Sequence, residues 1–477
     1  MSAAGTYESP LGSRYASAAM RAVFSPGRRI LEWRRLWIAL ARAQRELGLP
    51  ISESQIQELE QHAAEIDFDL AAEYERKLRH DVMAHIHAFG DAAPGARGIL
   101  HLGATSCFVT DNADLVLMRE ALDLLLTPLA STLDNLARFA REWKALPCVS
   151  YTHFQPAQLS TVGKRACLWI QDLADDLRCL AALRDSLRFR GAKGTTGTQA
   201  SYLALFDGDH DKVRALDEKV AAAMGFERRY GVTGQTYPRK LDYEVLSGLA
   251  GLAISAGKMA TDLRLLAHER EVEEPFEKHQ VGSSAMAYKR NPMRSERVCS
   301  LARFICAQVD CAAQTAMNQW LERTLDDSAA RRLVIPESFL AADGMLQTLL
   351  NVSNGLVVQE VQIGQHVERE LPFMATEEIL MAATKAGGDR QILHEAIRQH
   401  SLAAAERVKA GGENDLFDRI RTDATFSAIH NQLDSLTLAE RFVGRSPEQV
   451  DEFLAGEIDP LLSVHRERLG RVGDVRV

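Results

Sequence analysis

The length of its helical periods constrains this chain more than any other feature. In "ADLVLMREALDLLLTPLASTLDNLARFAREWKAL", residues 113–146, apolar side chains recur every three or four positions, for roughly 50 Å of helix at about 1.5 Å per residue. Pro128 inside it predicts a kink. A second long helix is expected to open at Pro156, a residue suited to a first helical turn, and to run through "LWIQDLADDLRCLAALRDSLRF" to Phe189. Three more are expected over 240–270, 292–320 and 326–356, the last interrupted at Pro336. Stretches such as "LSGLAGLAISAG" are apolar around more than one face. One chain's bundle cannot cover all of that surface, so the pattern predicts a homo-oligomer that pools its long helices.

The flanks read differently, with shorter helical runs and frequent breakers. "LGLP", "DAAPGARG" and "HLGATS" punctuate the first part, and Gly387-Gly388 and Gly411-Gly412 follow helical runs in the last. Alternating strand text is scarce. The expected fold class is therefore all-α, in three helical domains: residues 1–105, a central long-helix bundle over 106–358, and residues 359–477.

Charge and cysteine content narrow the function. Against 65 Asp and Glu stand 56 Lys and Arg, a net charge of −9 with no long basic run, so nucleic acid is not an expected partner. The 7 cysteines show no CxxC spacing and mostly sit in apolar helical text, which reads as reduced, buried thiols in a cytoplasmic protein. "MSAAGTYESPLGSRYAS" has no apolar leader core and no long uncharged apolar run occurs, so no membrane association is expected.

Four polar clusters interrupt the helical text. "RHDVMAHIH" offers Arg79, His80, Asp81, His85 and His87; the last two are two residues apart, diverge on a helix and make a poor metal pair, whereas Arg79-His80-Asp81 reads as an oriented anion contact or a helix cap. "HLGATSCFVTDN" places Gly103, Thr105 and Ser106 before the first long helix, as an N-capping turn or a carboxylate site. In "YTHFQPAQ", His153 precedes Pro156, in what reads as extended chain, where acid/base work or a structural role is open to it. "RGAKGTTGTQAS" (190–201) is a glycine loop without the Walker A lysine. With it belongs "VGSSAMAYKRNPMRSE" (281–296), where Gly282 frees the backbone, Ser283 and Ser284 bring hydroxyls, Lys289 and Arg290 bring cations, and Pro292 opens a helix whose amide end favours anions.

"GSSAMAYKRNP" resembles the signature loop of the fumarase/aspartase superfamily. Within it, "SPLGSRYAS", "LRHDVMAHIHAFG", "HLGATSCFVTDN", "YTHFQPAQLSTVGKR", "FRGAKGTTGTQAS", "TGQTYPRK", "ERTLDDSAARR" and "ELPFMATE" resemble the adenylosuccinate lyase family, in its animal form, in the same order over nearly the whole chain. The resemblance implies a homotetramer with each active site built from three subunits, and no metal or organic cofactor. It implies release of fumarate from adenylosuccinate, leaving AMP, and from the succinylcarboxamide ribotide SAICAR, leaving AICAR. Ser283 is similar to the family's base and His153 to its general acid, with Lys289 and His80 completing the catalytic set. Lys289 and Asn291, helped by Thr105, Ser106 and Gln235, would hold the succinyl carboxylates. Arg14, Tyr15, Arg79, His80, Asp81, Arg297, Arg323, Ser328 and Arg332 would meet the nucleotide. Another fumarate-releasing lyase such as argininosuccinate lyase, or a bundle protein that lost catalysis, would fit part of the pattern. One position departs from the family: Ala287 stands where the loop usually carries proline.

Overall fold

The computed structural model describes residues 5–473 and residue 475. Helix dominates them. In chain order the elements that matter here are α1 (Pro26–Glu46), α2 (Phe68–Leu78), α3 (Asp81–Ala92), α4 (Ser106–Glu142), a hairpin of β1 (Pro147–Thr152) and β2 (Gln155–Thr161), and α5 (Val162–Ser186). They continue with α6 (Lys240–His268), β3 (Val272–Glu273), α7 (Met293–Met317), α8 (Asp327–Ser353), β4 (Val357–Val358), α9 (Glu360–Met374), α10 (Thr376–Lys385) and α11 (Arg390–Lys409). The long helices form the bundle, α4 along α5, α6 along α7, and α7 along α8. Their facing stripes supply the main core, with Leu122, Leu125, Leu129, Leu173, Leu249, Met259 and Leu346 all at 0% exposure. A separate core of residues between Ala375 and Leu436, including Ile379, Ile420 and Phe426, lies under α10 and α11.

All five long segments are helices, with shifts at their ends. The first begins at Ser106 rather than 113 and stops at Glu142. Pro128 lies inside that continuous helix and Pro336 inside α8, which it does not interrupt. Burial explains both: residues on either side of each proline pack in the core, and the contacts outweigh one missing backbone hydrogen bond. At Pro128 the turn gains an extra bond, Thr132 Oγ1 donating to the Pro128 carbonyl at 2.8 Å.

Pro156 is a correction. It opens no helix; it sits in β2 opposite Tyr151, beside a register shift between Val149 and Tyr151, the kind of irregular place where a strand tolerates proline. Helix α5 starts after Thr161, whose hydroxyl accepts the Lys164 N–H at 3.2 Å. The cysteines need correcting too. Cys107, Cys148 and Cys299 are buried, Cys167 and Cys311 half-buried, but Cys179 of α5 and Cys306 of α7 are exposed. Helix α8 has the length and hydropathy of a membrane span, yet most of that window is buried inside the bundle.

His85 and His87 diverge. His85 packs edge-on against Trp33 with centroids 5.6 Å apart, while His87 stacks on Tyr74 at 5.1 Å. Burial pushes the His85 imidazole down to about 4, and His101 likewise, where Trp37 Nε1 donates to His101 Nδ1 at 2.9 Å. Both folded values lie below the unfolded value of about 6.5, so their contribution is intact above about pH 6.5 and lost as pH falls toward 4. By about pH 5 each costs on the order of 2 kcal/mol. Urea unfolding at about pH 7 and pH 5 checks this, and His85→Gln should flatten the difference; equal wild-type stabilities would rule it out.

Candidate active site

Three parts of the chain carry the residues singled out above, and in one chain they do not converge. The largest group lines a cleft of about 690 Å³ between the start of α3, the start of α4 and the start of α8. Arg79, His80, Asp81, Ser106, Gln235, Arg323, Ser328 and Arg332 all reach it, and Thr105 stands next to it as the residue preceding α4. A second cleft, about 840 Å³ in volume, contains arginines engaged within the chain. Arg28 binds Glu120 at 2.7 Å, Arg184 binds Asp123 at 2.5 Å, and Arg119 donates to the Gly225 carbonyl at 2.6 Å.

Local folding places the cleft's first triplet. Arg79 closes α2 in a left-handed conformation, φ 55°, its N–H on the Glu75 carbonyl, and this reversal makes His80 the N-cap of α3. His80 Nδ1 accepts the Met83 backbone N–H at 3.3 Å, so its proton belongs on Nε2, which lies 3.2 Å from Ser106 Oγ. Asp81 Oδ1 approaches that same nitrogen only to 3.8 Å. Asp81 instead binds Arg332 Nη2 at 2.7 Å. Gln235 is fixed at both ends, Nε2 donating to the Thr195 carbonyl at 3.0 Å and Oε1 accepting from Cys107 Sγ at 3.6 Å.

His153 lies elsewhere, in the turn between β1 and β2. Thr152 pairs with Gln155, which leaves His153 and Phe154 as a two-residue turn with φ of 52° and 60°. Such turns favour Asn-Gly because both central residues need positive φ. Here a histidine and a phenylalanine accept that strain at an exposed tip, Phe154 being 74% exposed.

The third group surrounds the 281–291 loop. Gly282 is required there: a Cβ on it would collide with the Lys289 carbonyl. Asn291 Nδ2 ties the loop shut on the Gly282 carbonyl at 2.8 Å. Within it Ser283 Oγ accepts the N–H groups of Ala285 at 3.3 Å and Met286 at 3.1 Å. Two donors on one hydroxyl oxygen favour its anionic form. Lys289 is exposed, and Arg297 of α7 lies over the ring of Tyr15, 5.8 Å from its centroid. Arg14 and Tyr15 end a short turn that packs on α8, where Gly344 admits the Tyr15 backbone.

The amide end of α7, expected to attract a ligand anion, is already taken. Glu274 accepts from Arg294 N at 3.0 Å, Ser295 N at 2.9 Å and Ser295 Oγ at 3.0 Å. A carboxylate of the chain itself satisfies those donors. Sequence reasoning also missed the cleft's floor, a buried set of charges containing Asp111, Arg239, Asp327 and Arg331. All four lie inside the quoted motifs, and the Arg323–Asp327 spacing of i,i+4 was the available signal.

Residues 28–310 match the "Lyase" family model, and residues 372–453 match the "Adenylosuccinate lyase C-terminus" model. Adenylosuccinate lyase of Saccharomyces cerevisiae is 54% identical over 467 residues, 97% of each chain. The chain belongs to the adenylosuccinate lyase family. Members of this family with comparable coverage include those of Schizosaccharomyces pombe, 53% identical over 96% of each chain, and the animal Schistosoma mansoni, 47% identical over 99% of each. The fold itself is shared more widely: the 3-carboxy-cis,cis-muconate lactonizing enzyme of Pseudomonas putida superposes with a TM-score of 0.80 at 22% identity, covering 96% of this chain and 98% of its own. A fumarate lyase of Mesorhizobium sp. BNC1 superposes with a TM-score of 0.79 at 22% identity, covering 94% of this chain and all of its own.

Proposed function

We propose that the protein cleaves adenylosuccinate to AMP and fumarate, and SAICAR to AICAR and fumarate, in purine nucleotide biosynthesis in the cytoplasm. The observation that carries this reading is the cleft: a chain of net charge −9 gathers Arg79, Arg323 and Arg332 with His80 and Ser328 around one cavity, a cationic seat for the nucleotide phosphate. In the elimination, Ser283 takes the proton from the succinyl carbon next to the one bonded to nitrogen. That electron pair becomes the fumarate double bond, the C–N bond breaks, and His153 protonates the departing nitrogen. Lys289 and Asn291, with Thr105, Ser106 and Gln235, hold the carboxylates, and Lys289 offsets the negative charge that builds up on them.

Because His153 and Ser283 do not line the cleft, the reading requires other copies of the chain to bring them there. Exposed apolar residues on the long helices and the segment after α7 support a homotetramer: Leu168, Ile254, Leu265, Met317, Trp320, Leu321 and Leu325 are all exposed in one chain. On this reading residues 1–105 and 359–477 flank a bundle, 106–358, pooled between subunits. The test is fumarate release from adenylosuccinate and from SAICAR, together with light scattering at micromolar protein. Release from both by a tetramer is expected; a monomer, or a folded tetramer releasing fumarate from neither, would overturn it.

Ala287 is expected to slow turnover. The loop has a residue with free φ where the family favours proline, so the open state is broader and closing it costs up to about 1 kcal/mol more. Ala287→Pro is expected to raise turnover several-fold and slow proteolysis within 281–291. Unchanged turnover and cleavage would refute this.

A further inference from the structure

Beneath the cleft, α4 and α8 meet at charges that solvent does not reach. Arg239, 3% exposed, lies just ahead of α6 and donates through Nη1 and Nη2 to Asp111 at 3.1 and 3.0 Å. Its Nε donates to Asp327 Oδ2 at 2.6 Å. Asp327, 1% exposed and the first residue of α8, also accepts from Arg323 Nη1, at 3.0 Å on Oδ1 and 2.8 Å on Oδ2. One guanidinium thus ties a carboxylate on α4 to a carboxylate on α8, and the second carboxylate holds an arginine of the cleft wall.

Buried ion pairs of this kind contribute little net stability, since well-packed apolar side chains of the same volume do as well. Their value lies in where they hold things. We infer that Arg239 and Asp327 are positioning residues that fix the Arg323 guanidinium for the nucleotide end of the substrate. Asp327 takes Nη1 of Arg323, and among the described residues no side chain engages its Nε or Nη2, which are left for an anion. Arg239 in turn fixes Asp327, because its planar fork reaches both carboxylates at once, which the point charge of a lysine does not. A long side chain otherwise free in solvent then meets the ligand already ordered. The inference rests on the lyase reading and extends it to the buried floor of the cleft.

Two variants test it without changing the charge of the site, Arg239→Lys and Asp327→Glu. Calorimetry measures AMP binding and, at saturating AMP, fumarate binding. Misplacing Arg323 should weaken AMP about tenfold in each variant and leave fumarate within about twofold. In an Arg323→Ala background, Asp327→Glu should weaken AMP no further, since the two act through one contact. Unchanged AMP affinity, equal loss of AMP and fumarate, or additive losses in the double variant would each overturn the inference while leaving the lyase reading intact. Wild-type protein that neither bound AMP nor released fumarate from adenylosuccinate would overturn that reading and this inference with it.

Discussion

Ser283→Ala should reduce fumarate release from adenylosuccinate by about 10²–10⁴-fold, the range spanned by loss of a positioned base, with substrate binding kept within about twofold. The hydroxyl is the one loop group whose oxygen already accepts two backbone N–H groups, from Ala285 and Met286. A neutral hydroxyl accepts both bonds through its two lone pairs, and the same donors stabilise an alkoxide when one forms. Because the alanine variant keeps Gly282, Asn291 and their closing bond, the loop should hold its shape and the nucleotide seat should be untouched. Single-turnover assays give the rate and equilibrium dialysis the binding. A variant retaining more than a few per cent of the rate would move the base to another residue, Ser284 first.

The second large effect concerns assembly. His153→Gln and Ser283→Ala should each be inactive as pure proteins, yet regain activity when dissociated, mixed in equal amounts and reassembled. If the histidine and the serine of one site come from different subunits, a random tetramer has both native residues at about a quarter of its sites. If they came from the same subunit, every site would carry one defect and the mixture would stay inactive. The proposed site, shared among three subunits, makes the first outcome the expected one; in the single chain His153 is at the tip of an exposed hairpin, Ser283 is in a loop after β3, and neither lines the cleft holding His80 and Arg323. Recovery of about a quarter of wild-type activity is the expected result; no recovery from correctly assembled mixed tetramers would refute shared sites.

How far each feature was legible in the sequence depended on how local its cause was. Helical periodicity is a property of neighbours three and four apart, so all five long helices were readable, and only their ends and the interruption at Pro336 were misjudged. Pro336 read as an interruption, and Pro128 as a kink within one helix, because the local rule counts one lost hydrogen bond. It does not count Leu125, Leu129 and Phe339, which pack on either side at 0% exposure. Pro156 misled for the opposite reason. Proline suits a helix start, but "YTHFQPAQLST" pairs with itself as a hairpin, and that pairing outweighs one residue's preference.

The candidate residues were legible because they sit in recognisable motifs, and the cleft does bring together Arg79, His80, Asp81, Ser106, Gln235, Arg323, Ser328 and Arg332 from four separate stretches. Their mutual roles were not. Which nitrogen of His80 faces Ser106 depends on a single contact, Met83 N–H on Nδ1, that exists only once α3 is capped. Whether the start of α7 is open to a ligand depends on Glu274, twenty residues before Arg294, folding back onto it.

By itself, then, the sequence determined the helices, the family and the set of side chains, because periodicity and motif are written along the chain. Only the tertiary structure decided which of those side chains share a cavity, that Arg239 joins Asp111 to Asp327, and that His153 and Ser283 stand apart from the cleft. Such facts come from contacts between residues up to hundreds of positions apart, and packing and burial, not local preference, select them.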